Sequence, residues 1–206
     1  LTNHVNADLV TVIGLSGFSG ITNDTLIQIS NMCPQLEKLF VGGCDMITDD
    51  GIVPIAEKCG QQLKHIYYSE CKKCTDAALK SIVNNCNQLE VLRARDCGIS
   101  TIPENIGYVL RELKLLNLSQ NKITTIPVSL TLLKKTLKDD DFDISHNPLQ
   151  EPPIEVAKQG FAAIERYFEE IQKKGSKISN TLKVVLVGQG KAGKTSLLRS
   201  ILDHHH

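Results

Sequence analysis

The sequence lacks a net charge, a long hydrophobic run and an N-terminal leader. Its 23 basic residues balance 23 acidic residues over 206 positions. The chain therefore lacks the excess of positive charge that favours binding to nucleic acid or to an anionic membrane. No apolar run approaches the roughly 18 residues of a membrane span, and no charged segment followed by an apolar one opens the chain. We therefore expect a cytoplasmic protein that has no membrane span and binds no nucleic acid.

Both ends of the sequence indicate artificial boundaries. The first residue is Leu1 rather than an initiator methionine, and residues 204–206 are three histidines typical of an expression-tag remnant. The number of structural units that precede residue 1 therefore stays open.

An internal repeat occupies most of the chain. The pattern L-x-x-L-x-L-x-x-[NC], with conservative replacements, recurs every 24 to 27 residues, starting at Val10, Leu36, Leu63, Leu89, Leu113 and Asp139. This is the signature of leucine-rich repeats, in which each unit adds one strand to a parallel sheet and one segment to the outside. We predict an α/β fold over residues 1–153, a right-handed solenoid with a curved parallel sheet.

The ninth position of each repeat is predicted to point into the solenoid, where Asn or Cys can hydrogen-bond the backbone of the turn. The residues at this position are Phe18, Cys44, Cys71, Cys97, Asn121 and Asn147. A second buried column near the helix ends holds Cys33, Cys59 and Cys86, so six of the seven cysteines are explained as small buried residues. A zinc site at Cys71 and Cys74 is the alternative, but it lacks a second ligand pair at suitable spacing.

The repeats are of two kinds, with the change near residue 89. In the longer, cysteine-containing repeats, up to about residue 88, Thr22, Thr48 and Thr75 are predicted N-caps of convex α-helices. From residue 89 the repeats are shorter and carry Ile-Pro pairs that end at Pro103 and Pro127. Proline fixes φ and removes a hydrogen-bond donor, so we expect shorter convex segments there and a change in the curvature of the solenoid.

The concave face of the predicted sheet carries residue types that are enriched in binding hot spots. We name five of them the aromatic–arginine patch: Phe40, His65, Tyr67, Arg93 and Arg95. The patch is predicted to bind a protein partner or to contact a later domain of the same protein. The alternative is that the two arginines only form ion pairs with Glu70 or Asp96.

Residues 154–180 are predicted to close the solenoid and to lead out of it. A helical spacing puts apolar side chains on one face, namely Phe161, Ile164, Tyr167, Phe168 and Ile171. The end of a solenoid core needs such a cover. A polar, glycine-containing linker follows the helix.

Residues 181–203 have the pattern of the first strand, phosphate loop and first helix of a truncated nucleotide-binding domain. An apolar strand pattern from Leu182 runs into G-x-x-x-x-G-K-T, which spans Gly188 to Thr195. Such glycines let backbone amides surround a phosphate, while Lys194 adds a positive charge and Thr195 offers a hydroxyl to Mg²⁺. A second Mg²⁺ ligand and a base-reading loop are missing, so we expect no catalytic residue and no bound cofactor in this chain.

The order of these segments resembles the junction between leucine-rich repeats and the Roc GTPase domain of Roco proteins. The resemblance rests on N-P-L-x-x-P-P at 147–153, G-x-x-A-I-x-x-Y at 160–167 and the P-loop. It implies a large cytoplasmic protein that binds GTP or GDP with Mg²⁺, contains a COR domain that commonly mediates dimerisation, and in some members carries a serine/threonine kinase domain. By the same resemblance, Thr195 would bind Mg²⁺ and the phosphate contacts would come from Gly188, Gln189, Gly190, Lys191, Ala192, Gly193, Lys194, Thr195 and Ser196.

Two hypotheses about function stay open. The first is a regulatory, protein-interacting repeat module of a Roco-type GTP-binding protein in intracellular signal transduction. The second is a leucine-rich-repeat scaffold or ubiquitin-ligase substrate receptor whose P-loop-like tail is incidental, because the early repeats also resemble those of F-box receptors. Further G-domain motifs after Asp203 would favour the first, in which guanine specificity follows from the resemblance alone.

Overall fold

The computed structural model describes residues 6–176, with side chains as far as residue 173. Most of these residues belong to one compact unit, Leu1–Glu170, and a second unit begins at Ile171. The first unit contains one six-stranded parallel sheet in chain order, with strands β1 Val12–Gly14, β2 Lys38–Phe40, β3 His65–Tyr67, β4 Val91–Arg93, β5 Leu115–Asn117 and β6 Phe142–Asp143. The predicted parallel sheet of repeat strands is confirmed.

Helices connect the strands on the other side of each repeat. Those of the first unit are α1 Asn23–Met32, α2 Asp49–Cys59, α3 Asp76–Asn85, α4 Ile106–Val109 and α5 Ile154–Ala157, while α6, Phe161–Ser176, extends beyond it. Short 3-10 turns lie at Ala7–Leu9, Val128–Lys135 and Asp139–Asp141. The α-helix shortens from 10 residues in α3 to 4 in α4, as the Ile-Pro pattern predicts. The change in curvature stays a prediction.

The core consists of aligned columns of repeat residues. The parallel register places Leu39 beside Ile66, Ile66 beside Leu92 and Leu92 beside Leu116, and all four side chains are fully buried. Because side chains alternate along a strand, the residues between these core positions point to the concave face. The repeat spacing therefore determines which residues form the core and which residues form rows on the concave face.

From Cys44 onward the ninth-position residues form an inner hydrogen-bonded column, in which each side chain donates to a carbonyl just after the strand of the preceding repeat. The Cys44 thiol donates to the Leu15 carbonyl (3.3 Å), and the Cys71 thiol donates to Val41 (3.2 Å). Asn121 Nδ2 donates to the Ala94 carbonyl at 2.8 Å. Side chains from Cys44 to Asn147 in this column are buried, as predicted.

The prediction that the ninth residue points into the solenoid is wrong for the first repeat, because Phe18 is 61% exposed. Among the described residues β1 has a neighbouring strand on one side only, β2. Phe18 also has no polar group that could bond a preceding carbonyl. The first repeat is accordingly less buried than the others, with Ile13 and Leu15 only half-buried.

The turn after each strand passes through a left-handed backbone conformation. The position just before the ninth residue has φ between 52° and 77°, and its occupants are Gly17, Gly43, Glu70, Asp96, Gln120 and His146. Glycine adopts this conformation without steric cost, whereas other residues seldom do. From the third repeat on, the turn keeps this conformation with a residue other than glycine.

The threonine N-caps are confirmed, and the residue after each of them links one repeat to the next. Thr48 Oγ1 accepts from the Asp50 amide at 3.2 Å. Asp49, the first residue of α2, accepts hydrogen bonds from the Thr75 amide (2.8 Å), the Thr75 hydroxyl (2.6 Å) and the Ala78 amide (3.0 Å). A carboxylate at a helix N-terminus satisfies free amides and complements the helix dipole. Each helix start thus stabilises its neighbour.

Asp76 repeats this arrangement one unit later. Its carboxylate accepts from the Ser100 amide (2.6 Å), the Ser100 hydroxyl (2.6 Å) and the Thr101 amide (2.9 Å). Burial acts to raise the pKa of Asp76, but the hydrogen bonds from Ser100 and Thr101 outweigh it and lower the pKa below its usual value. The carboxylate is therefore charged at neutral pH, where it accepts these bonds best.

The start of α6 covers the last repeat. Phe161 and Ile164 are buried, and the Phe161 ring stacks on Phe142 with 5.1 Å between centroids. The Phe161 amide donates to Asp139 Oδ1 at 2.8 Å. Ile171, placed on the same predicted face, is 43% exposed and belongs to the second unit.

No helix among the described residues is long and apolar enough to cross a membrane. The predicted linker after residue 176 and the strand, P-loop and helix at 181–203 lie outside the described residues. The phosphate and Mg²⁺ contacts assigned to residues 188–196 accordingly stay predictions.

Candidate protein-interaction site on the concave face

Three residues of the aromatic–arginine patch occupy one row across neighbouring strands. The register pairs Phe40 with Tyr67 and Tyr67 with Arg93. His65 lies on the same face of β3 as Tyr67, two residues earlier. All four side chains are half-buried, so each has a packed body and an accessible edge.

The rings of the patch contact one another closely. Phe40 meets Tyr67 edge to face, with 4.6 Å between centroids and an interplanar angle of 88°. His65 is nearly parallel to Tyr67, at 6.4 Å and 14°. Such aromatic contacts stabilise by about 0.5–1.5 kcal/mol beyond the area they bury. The rings therefore form a pre-organised apolar surface that loses little side-chain entropy on binding.

Arg93 completes this surface with a cation. Its Cζ atom lies 5.3 Å from the centroid of the Tyr67 ring, within the range of a cation–π interaction. Its Nε is shielded from solvent and has no acceptor. The guanidinium is held by a ring rather than by a carboxylate.

Arg95 differs from Arg93, because its guanidinium is engaged within the protein. Its Nη1 donates to Glu70 Oε1 (3.2 Å), and its Nη2 donates to Gln120 Oε1 (3.0 Å). The alternative interpretation, a plain ion pair with Glu70, is thus correct for Arg95. Asp96, the other predicted acceptor, lies 3.8 Å from Lys72 instead. The free part of the patch is therefore Phe40, Tyr67 and Arg93 with His65 at its edge.

His65 is neutral at neutral pH. Burial lowers its pKa below the usual value, and the positive charge of Lys38 lowers it further. A neutral imidazole beside Tyr67 adds to the apolar surface and can donate or accept one hydrogen bond. It does not add to the positive charge of the patch.

The opposite end of the concave face is acidic. Asp143 accepts from Asn117 Nδ2 (3.3 Å) and from the Ser145 amide (3.0 Å). Burial acts to raise the pKa of Asp143, but the hydrogen bonds from Ser145 outweigh it, and the pKa is lowered. Asp141 lies nearby on the same edge. Positive charge around β2 to β4 therefore gives way to negative charge at β6.

The cysteines contribute structure rather than a ligand set. All seven are buried and free. Within residues 6–176 no group of three or more His, Cys, Asp or Glu side chains could hold a metal ion. The Cys71 and Cys74 thiols donate to the Val41 and Ile47 carbonyls, at 3.2 and 3.8 Å.

Sequence reasoning missed one residue of the site, Gln120. It occupies the left-handed turn position that Glu70 occupies two repeats earlier, so both flank Arg95 of the intervening repeat. A comparison of the turn column across repeats would have found it. The signal is weak because that column holds a different residue in every repeat after the second.

A leucine-rich-repeat model, "Leucine Rich Repeat", matches residues 112–133. The solved structure of the Arabidopsis receptor kinase HAESA in complex with the peptide hormone IDA and the co-receptor SERK1 superimposes with a TM-score of 0.55 and 23% identity, over 72% of this chain and 26% of that chain. The fold is of the leucine-rich-repeat type. At this identity the likeness to the receptor shows the fold alone.

Two curated relatives match parts of this leucine-rich-repeat chain. F-box/LRR-repeat protein 4 from Bos taurus is 30% identical over 112 residues, 52% of this chain and 18% of the relative. The malignant fibrous histiocytoma-amplified sequence 1 homolog from Xenopus tropicalis is 35% identical over 72 residues, 35% of this chain and 7% of the relative. The chain therefore spans less than a fifth of either relative.

Proposed function

We propose that this leucine-rich-repeat chain is a protein-interaction module and that Phe40, Tyr67 and Arg93 form the centre of its binding surface. The observation that carries the proposal is their common row on β2, β3 and β4, with the Tyr67 ring in contact with both neighbours. Aromatic and arginine side chains that are packed yet accessible dominate the energy of protein interfaces. The solved HAESA complex, in which a receptor with this fold holds a peptide hormone, supports the same use of the fold.

This proposal is tested with two triple-alanine variants of the chain. One removes Phe40, Tyr67 and Arg93, and the control removes exposed side chains away from the strands, Tyr108, Arg111 and Leu132. We expect proteins captured from a cell extract by the parent chain to be lost with the first variant and kept with the second. Equal capture by the parent and the patch variant would reject the surface.

For the whole protein we propose a cytoplasmic Roco-type GTP-binding protein in which these repeats regulate a Roc domain, either by receiving a partner or by contacting that domain. The support is the sequence motif from Gly188 to Thr195 and the order of repeats, helix and motif. Bound GTP or GDP with Mg²⁺, and a dimer formed through another domain, belong to this proposal.

A titration of fluorescent GDP tests it on a chain extended through the next domain. We expect binding that guanine but not adenine nucleotides displace and that Lys194→Ala weakens. Lys158→Ala serves as the control, because Lys158 is an exposed lysine outside the motif. The absence of guanine-selective binding would reject the Roco proposal and leave the repeat surface as the main function.

A second candidate is a substrate receptor of a ubiquitin ligase. The similarity to F-box/LRR-repeat protein 4 favours it. Here too the concave patch would bind a protein, but the extended chain would show no guanine nucleotide binding. The titration therefore separates the two candidates.

A further inference from the structure

The concave face carries an imbalance of charge around the aromatic–arginine patch. Lys38 on β2 and Arg93 on β4 flank the Phe40 and Tyr67 rings. Neither cation has a hydrogen bond or an ion pair with another residue in the part of the chain that the structure describes. The two positive charges therefore border an apolar surface without a counterion.

The acidic side chains of these repeats that could compensate them are already engaged. Each has its own basic partner in a neighbouring repeat, outside the strands. The pairs are Glu37 with Lys64 (3.0 Å), Glu70 with Arg95 (3.2 Å), Glu90 with Lys114 (2.8 Å) and Asp96 with Lys72 (3.8 Å). Within residues 6–176, Lys38 and Arg93 therefore have no carboxylate partner, and an anionic group of a bound molecule would find both cations unpaired.

A partner that covers the rings would also remove water from Arg93. Burying a guanidinium without a counterion is costly, whereas a carboxylate that meets it makes strong, charge-assisted hydrogen bonds. The phosphate backbone of a nucleic acid that extended along the face would meet Asp141 and Asp143 at β6. Their negative charges would repel it. The charges thus favour an acidic protein segment over a nucleic acid.

The geometry points to an extended peptide segment as the occupant, with a side-chain carboxylate on Arg93 and a basic residue about three positions away. The second feature follows from the two strand spacings between β4 and β6, about 10 Å in all. A peptide in the extended polyproline II conformation spans this distance in three residues at ~3.1 Å each, and its three residues per turn put side chains three positions apart on the same face. The basic side chain would then lie over Asp143. This inference rests on the proposed function, because it assumes that the patch is the binding surface.

The test is a selection from a display library of random 12-residue peptides on the full chain, followed by affinity measurements on the selected peptides. We expect acidic residues to be enriched over the input, with a basic residue three positions from the acidic one. Arg93→Gln is expected to weaken these peptides by about tenfold to a hundredfold. Arg93→Lys keeps the charge but not the forked geometry, so it is expected to weaken them less.

Two controls keep the outcomes separate. Arg111→Gln changes an exposed arginine away from the strands and is expected to leave binding unchanged. Peptides that depend on Tyr67 but show no acidic enrichment, or that tolerate Arg93→Gln, would overturn this inference and leave the proposed function standing. A selection with no Tyr67-dependent peptide at all would overturn the proposed function itself.

Discussion

Replacing Asn121 by alanine is expected to destabilise the solenoid strongly. Its side chain is 7% exposed. Oδ1 accepts from the Cys97 amide (3.1 Å) and the Ile99 amide (3.2 Å), while Nδ2 donates to the carbonyls of Ala94 (2.8 Å) and Leu118 (3.0 Å). One amide side chain thus joins two consecutive repeats.

The magnitude follows from the groups that lose their partner. Asn121→Ala leaves two buried N–H donors unsatisfied, and each costs about 1–3 kcal/mol. We expect a loss of about 4 kcal/mol in the free energy of unfolding, which for a domain of this size lowers Tm by roughly 8–16 °C. Asn121→Cys is expected to lose less, because a thiol can still donate to a carbonyl there, as Cys97 does to Tyr68 at 3.4 Å.

Urea titration and thermal scans of the three proteins measure this. Asn87→Ala serves as the matched control, because Asn87 is exposed, and it is expected to change stability by less than about 0.5 kcal/mol. A loss below about 1 kcal/mol for Asn121→Ala would refute the argument that the inner column holds neighbouring repeats together.

Three further predictions concern buried polar groups. The Tyr68 hydroxyl is buried without a partner, so Tyr68→Phe is expected to raise the free energy of unfolding by about 1 kcal/mol or leave it unchanged; a clear loss in urea titration would contradict this. The folded-state pKa of Asp76 is lowered, so its contribution is full at neutral pH and declines as pH falls below about 4; Asp76→Asn should therefore lose stability at pH 7 and show a weaker acid dependence than the parent. Burial raises the pKa of Cys86 and Cys97 to about 12, so both should react slowly with a thiol probe at pH 8 until urea unfolds the chain; fast labelling would place them at the surface.

The repeat pattern predicts the fold well because one rule acts six times. Leu39, Ile66 and Leu92 recur at nearly equal spacing, and each must be buried against the next for the sheet to form. The rule fails at Phe18, where the repeat has a neighbour on one side only among the described residues. Position within a repeat therefore predicts burial only when a repeat is covered on both sides.

The candidate site could be predicted only in part. Strand alternation is enough to place Phe40, Tyr67 and Arg93 in one exposed row. It does not show which arginine is free, because Arg95 is engaged through side chains of Glu70 and Gln120, and such pairing depends on rotamers and turn geometry. The sequence reasoning also missed that Asp49, the first residue of α2, caps the start of α3, because this contact too depends on side-chain rotamers.

The most direct test of the proposed binding surface is the dissociation constant of a captured partner for the parent chain, Tyr67→Ala and Leu132→Ala, measured by calorimetry. Tyr67 lies at the centre of the row, whereas Leu132 is exposed in the turn Val128–Lys135. A central hot-spot residue contributes about 2 kcal/mol or more. We predict a loss of about 30-fold or more for Tyr67→Ala and no change for Leu132→Ala. The reverse result would contradict a concave binding face.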